Sequence, residues 1–181
     1  MKTLYLILLL FLFYSCSQQN VSENNPEEFE NSTISNDISN QKINVFAEDA
    51  FGHIWLGTFR GLNKYNVHEY HQYFCTDDSL GLPDNQIKDL LRDSKGRLWV
   101  ATVNGVCLYT DRDNFQRIKV VTNNYNCSQL LENKHGRIFM SNITQLFEYN
   151  VEKNQFDCVI GNVDQNTFVG RAHIDLSDNL W

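Results

Sequence analysis

One short phrase recurs four times: Asp49-Ala-Phe-Gly52-His-Ile-Trp55, Asp93-Ser-Lys-Gly96-Arg-Leu-Trp99, Asn133-Lys-His-Gly136-Arg-Ile-Phe139 and Asp175-Leu-Ser-Asp178-Asn-Leu-Trp181. The aromatic ends lie 44, 40 and 42 residues apart. A period of that size accommodates one four-stranded β-sheet per repeat. After each of the first three anchors the chain aligns without a gap to a tyrosine, Tyr65, Tyr109 and Tyr149. Before each anchor stands an apolar, β-rich stretch: Ile43 to Glu48, Ile87 to Arg92 and Cys127 to Glu132. The spacing predicts an all-β chain, an incomplete β-propeller of about three four-stranded blades plus the start of a fourth.

Blade one reads as Ile43 to Glu48, a turn over Asp49 to Gly52, then His53 to Thr58, a turn at Phe59-Arg60-Gly61, Leu62 to Tyr65, and an outer strand from Glu69 to Phe74. Aspartate accepts backbone N–H bonds within such a turn and glycine supplies the positive φ. Blade two repeats this through Leu98 to Thr102, Gly105, Val106 to Tyr109 and Phe115 to Val120. Blade three is more degenerate, with Ser141, Asn142 and Gln145 where blade one has Gly57, Thr58 and Gly61. The blades run over about 42–76, 85–121 and 125–160, with the next beginning over 167–181. The recurring set Asp49, Gly52, Trp55, Thr58, Gly61, Asp93, Gly96, Trp99, Thr102, Gly105, Gly136, Phe139 and Trp181 serves the fold.

Residues 1–16 read as an export signal, with Lys2, an unbroken apolar run from Leu4 to Phe13, and Cys16 after a small residue. That run is too short to span a bilayer, which takes about 20 apolar residues. The arrangement around Cys16 resembles a lipobox, in which the cysteine is acylated; Phe13 and Tyr14 depart from the usual pattern, and an ordinary secretory signal cut nearby is the alternative. Residues 17–41, rich in Asn, Ser and Glu, read as a disordered tether because so little apolar surface cannot offset ordering entropy. At the other end the chain stops inside a repeat. The expectation is the front of a longer protein that, alone, self-associates through its open sheet.

A net charge of −7 and the lack of a basic stripe argue against nucleic acid as a partner. The five cysteines show no CxxC or regular pairing, and free thiols are expected, with Cys127 a small buried hydrophobe. The histidines are dispersed, and His68 and His71 point to opposite faces of a strand, so neither a metal site nor a cofactor is predicted. Asp49, Asp93 and Asp175 recur with the period, and no nucleophile elbow or phosphate-binding glycine loop is present. No catalytic residue is assigned.

Gly81-Leu82-Pro83-Asp84-Asn85-Gln86-Ile87, followed by Asp93-x-x-Gly96-x-Leu98-Trp99-Val100-Ala101-Thr102-x-x-Gly105-Val106, resembles the two-component regulator propeller repeat. Glu48-Asp49-x-x-Gly52-x-Ile54-Trp55-Leu56-Gly57-Thr58-x-x-Gly61-Leu62 does so still more closely. The resemblance implies the periplasmic sensor region of a Bacteroidetes hybrid sensor histidine kinase: exported, membrane-associated, dimeric in the full-length protein, and responsive to oligosaccharides. Kinase and membrane helix would lie in other parts of such a protein, as would the remaining blades. If the first strand of each blade is innermost, the turns between second and third strands share a face with the inter-blade connections. Arg60, Asn85, Asn104 and Thr144 are then candidate sugar ligands, and Tyr125 or Tyr73 a candidate stacking ring. An envelope scaffold is the alternative function. A propeller-fold carbohydrate-active enzyme is disfavoured, because here aspartate precedes glycine by three residues, whereas sialidase and quinoprotein repeats place it two or four residues before.

Overall fold

The computed structural model describes residues 32–110, 112–122, 125–161, 171–175, 177–179 and 181. The export signal, Cys16 and most of the tether lie outside the described residues, as do residues 162–170. The described chain is all-β. After β1 (Ser32–Ser35) come three blades: β2 (Ile43–Glu48), β3 (Ile54–Thr58), β4 (Gly61–Asn66) and β5 (Glu69–Tyr73); β6 (Ile87–Arg92), β7 (Leu98–Thr102), β8 (Gly105–Tyr109) and β9 (Phe115–Val120); β10 (Gln129–Glu132), β11 (Ile138–Ser141), β12 (Leu146–Asn150) and β13 (Gln155–Ile160). Each blade is an antiparallel meander in strand order. The first strands β2, β6 and β10 neighbour one another and are innermost. Blades two and three also touch at their outer strands, where β13 pairs in parallel with β9 over Gln155↔Lys119 and Phe156↔Val120.

The core lies between blades rather than within them. Between blades one and two, Trp55, Leu62 and Tyr73 pack on Leu90, Leu98, Val100 and Phe115. Between blades two and three, Trp99, Val106 and Ile118 pack on Leu130, Ile138, Met140 and Phe156. A third cluster joins Phe139 and Leu146 to Ala172, with Ile174 against it, so the fourth repeat continues the stacking. Each fully buried side chain of this size contributes about 1.5–3 kcal/mol. The anchor of one repeat meets the tyrosine of the next edge-on: Trp55 with Tyr109 at 4.6 Å between ring centroids, Trp99 with Tyr149 at 4.8 Å.

Most strand ends fall where the spacing places them; β10 begins at Gln129 rather than Cys127, and β3 at Ile54 rather than His53. One expectation is corrected. Ser32–Ser35, assigned to a disordered tether, pairs antiparallel with β5 from Ser32↔Tyr73 to Ser35↔Tyr70. The edge of β5 offers unpaired backbone groups, and β1 satisfies them. Polar side chains then fix the following residues: Asn63 Oδ1 accepts the Ser39 N–H at 2.8 Å, Asn63 Nδ2 donates to Ser39 Oγ at 2.8 Å, and Gln72 Nε2 donates to the Asp37 carbonyl at 2.6 Å. Asn63 is buried, so these bonds satisfy a group that is costly to leave bare.

Candidate functional site

The recurring aspartate organises each hairpin between first and second strands. Asp49 Oδ1 accepts the N–H groups of Phe51 and His53 at 2.8 and 3.0 Å, and its Oδ2 accepts the Trp55 indole N–H at 2.9 Å. Asp93 does the same with Lys95, Arg97 and Trp99 at 3.0, 2.8 and 2.9 Å, and Asp175 with Ser177, Asn179 and Trp181 at 2.9, 2.8 and 3.0 Å. Gly52, Gly96 and Gly136 take φ of 85°, 79° and 74° at the turn, a region where a Cβ is strained. Burial pushes the Asp49 and Asp93 carboxyls up, but the indole and backbone donors outweigh it and hold both below the usual carboxylate range. These carboxylates are therefore spent on structure.

The turns between second and third strands face the inter-blade connections. Thr58 Oγ1 donates to the Gly61 carbonyl at 2.8 Å and accepts the Arg60 N–H at 3.0 Å; Thr102 repeats this with Gly105 and Asn104 at 2.9 and 3.2 Å. The Gly61 N–H reaches the Asn85 carbonyl at 2.7 Å, tying the blade-one turn that carries Arg60 to the connection entering blade two. In blade three, Asn142 stands in for threonine, its Oδ1 accepting from Thr144 and Gln145 at 2.9 and 2.7 Å.

The connection itself is held by a residue that the sequence reading passes over. The Arg117 guanidinium on β9 donates to the carbonyls of Thr76, Asp78, Gly81 and Leu82 at 3.2, 2.9, 3.1 and 3.0 Å. Its only sequence signal is the alternation that puts Arg117 on the face of β9 that carries Phe115, opposite Ile118 and Val120. Beside it lies an open cleft of about 240 Å³ that includes Pro83, Asn104, Gly105, Arg117 and Tyr125. Asn104 and Tyr125 thus come together, with Tyr125 44% exposed. An amide, an exposed ring and a guanidinium along an open cleft suit a polyhydroxylated ligand, by hydrogen bonds and stacking.

The other candidates are placed differently. Arg60 is exposed near Asn85, but Asn85 Oδ1 already accepts the Cys75 N–H at 2.6 Å. Thr144 does not line the cleft with Asn104. Tyr73 is excluded as a stacking platform: it is fully buried, stacked on Trp55 with ring centroids 5.5 Å apart. Its hydroxyl reaches across the seam between blades one and two to donate to Asp113 Oδ1 at 2.7 Å, and Tyr109, within blade two, donates to the same oxygen at 2.5 Å. Burial raises both tyrosine pKa values well above the ordinary range, and Asp113 reinforces this. Among the described residues Cys75, Cys107, Cys127 and Cys158 are free thiols, the middle two buried, and no group of three His, Cys, Asp or Glu side chains is arranged to hold a metal.

Radially stacked four-stranded blades with inter-blade cores and innermost first strands define a segment of β-propeller. Residues 37–60 and 81–104 match the family described as Two component regulator propeller, each match ending in the turn that follows a second strand. Over these two segments the chain is similar to the two-component regulator propeller repeat. No curated protein matches the sequence. Among solved structures, it is similar to the extracellular domain of the proposed hybrid two component system BT4673 from B. thetaiotaomicron, with 22% identity over 77% of this chain and 19% of that one, TM-score 0.66. The extracellular domain of the proposed hybrid system BT3049 from the same organism gives 23% identity over 81% of this chain and 21% of that one, TM-score 0.65. The chain thus spans about a fifth of the length of each. Virginiamycin B lyase from Staphylococcus aureus shares the fold at 12% identity, over 83% of this chain and 52% of that one, TM-score 0.62. The same fold thus occurs in extracellular domains of two component systems and in a lyase, so the architecture by itself fixes no role.

Proposed function

We propose that this chain is part of the extracytoplasmic sensor region of a two-component system and that its loop face reads an oligosaccharide. The matches at residues 37–60 and 81–104 carry this reading, because repeats of that family name the signalling context. Two similar structures described as extracellular domains support a location outside the cytoplasm, as does the apolar run from Leu4 to Phe13. Lipid on Cys16, or a membrane helix elsewhere in the full-length protein, would hold it at the envelope. The cleft at Asn104 and Tyr125 is where sugar hydroxyls and a ring face would be met. Ligand contact would favour one arrangement of a sensor dimer, with the preference passed on through the membrane.

Calorimetric titration of the purified chain with neutral oligosaccharides tests this. Binding that Asn104→Ala and Tyr125→Ala each weaken by about tenfold, roughly 1.4 kcal/mol, is the expected result. Absence of heat with every oligosaccharide would overturn it in favour of an envelope scaffold.

A further inference from the structure

The innermost strands line a second open cavity, of about 310 Å³, away from the loop-face cleft. One repeat position supplies its wall four times over: Val45, Asp89, Gln129 and Arg171. In β2 and β6 the pairing register shifts beside this position, between Ile43 and Val45 and between Ile87 and Asp89, so Asn44 and Lys88 are added to the lining. A β-bulge re-aims side chains in this way.

The polar groups there are unequally satisfied. Asp89 Oδ1 accepts the Leu90 N–H at 3.0 Å and its Oδ2 accepts the Leu130 N–H at 2.8 Å, so both oxygens are in use. Asn44, exposed at the cavity wall, donates its Nδ2 to the Ile87 carbonyl at 2.7 Å, which leaves its side-chain oxygen as an acceptor there. Gln129 Oε1 is buried and receives no hydrogen bond among the described residues. A buried acceptor without a donor is costly unless a bound group supplies one. Lys88 and Arg171 bring two positive charges against the single carboxylate of Asp89, and neither forms an ion pair within 4.0 Å among the described residues. At the rim stands Phe46, 74% exposed, whereas its counterparts Leu90 and Leu130 are buried.

We propose that this axial cavity binds a carboxylate-bearing sugar, its carboxylate between Lys88 and Arg171 and its hydroxyls donating to Gln129 Oε1 and Asn44 Oδ1. The inference rests on the sugar-sensing reading and adds to it a second site and an acidic ligand class. Excess positive charge selects the carboxylate, the orphan acceptor selects a hydroxyl, and the exposed ring offers a surface for a pyranose face.

The test is titration of the full chain with glucuronate and, separately, glucose. Glucuronate should bind, more weakly as salt is added, and glucose at least about tenfold less tightly. Lys88→Met and Arg171→Met should each weaken glucuronate about tenfold, while Lys95→Met, a charge-matched control in a distant exposed turn, should not. Gln129→Leu should also weaken it while leaving the melting temperature unchanged or higher, since it removes a buried unmet acceptor; that combination separates ligand contact from damage to the fold. Glucuronate binding that is indifferent to Lys88→Met and Arg171→Met, or matched by glucose, overturns the proposal. Failure of glucuronate alongside retained binding of neutral oligosaccharides overturns the axial site alone, whereas silence with every sugar overturns both readings.

Discussion

Asn133 Nδ2 donates to Asp178 Oδ2 at 3.1 Å, so the third repeat is stitched to the fourth by two residues that each depart from the motif. Asn133 stands where the other repeats have aspartate, and its Oδ1 still accepts the His135 and Arg137 N–H groups at 3.1 and 2.9 Å. Its partner anchor is Phe139, whose ring has no N–H to donate, so the second aspartate oxygen would lack the indole partner found in the other repeats. Asp178 stands where glycine stands and takes φ of 70°, a region that aspartate tolerates better than most residues. Asn133→Asp should therefore destabilise the chain by about 1–2 kcal/mol, by losing the bond and opposing two carboxylates. Adding Phe139→Trp, which restores the indole donor beside an open cleft of about 320 Å³, should recover part of that loss. Denaturant unfolding of the four members of the cycle measures the coupling.

Trp99→Phe keeps the ring in the seam between blades two and three but deprives Asp93 Oδ2 of its indole donor. About 1–2 kcal/mol of stability should be lost, and Asp93→Ala should cost more, because two turn N–H groups lose their acceptor as well. Urea midpoints at constant m-value provide the comparison.

Acid should weaken the fold in a defined window. Asp49 and Asp93 have folded pKa values below the ordinary value of 3.8. In that range the unfolded chain binds more protons, so stability rises with pH. Their contribution is present above about pH 4 and is lost as pH falls through the folded values. Melting temperature against pH should drop below about pH 4, and less steeply in Asp93→Asn.

Gly57 shows how closely blades one and two approach. A Cβ there would sit 2.6 Å from Ile87 Cγ2 and 2.7 Å from Val45 Cγ1. Blade two carries Ala101 at the same repeat position, fully buried. Gly57→Ala should cost about 1–3 kcal/mol by overpacking, seen as a lower thermal midpoint.

Arg117→Met removes the donors that four loop carbonyls share. Residues 76–82 should then exchange amide hydrogen faster, while β6 and β7 keep their protection. Equal exchange in both proteins would show that the loop holds itself.

The repeat was legible because its turn chemistry is local. Asp49 and Trp55 are six residues apart, and Thr58 and Gly61 three, so the groups that bond are already neighbours in the chain. Of the loop-face candidates, Asn104 and Tyr125 line one cleft, while Tyr73, a candidate stacking ring, is buried because its strand position faces the next blade. Arg117 went unread because its four partners lie 35 to 41 residues away.

By itself the amino-acid order determined the blades: period, hairpin turns and the apolar faces of the strands follow from bonds and side-chain alternation within some forty residues. Only the tertiary arrangement decided that Ser32–Ser35 joins blade one, that Tyr73 and Tyr109 share Asp113, and that Asp89, Gln129 and Arg171 meet at the axis. The physical reason is distance along the chain. An edge ladder, a shared carboxylate and a central cavity each depend on how whole sheets stack: Ser32 and Tyr73 are 41 residues apart, Tyr73 and Asp113 40, and Asp89 and Gln129 40, so each contact joins residues about a full repeat apart.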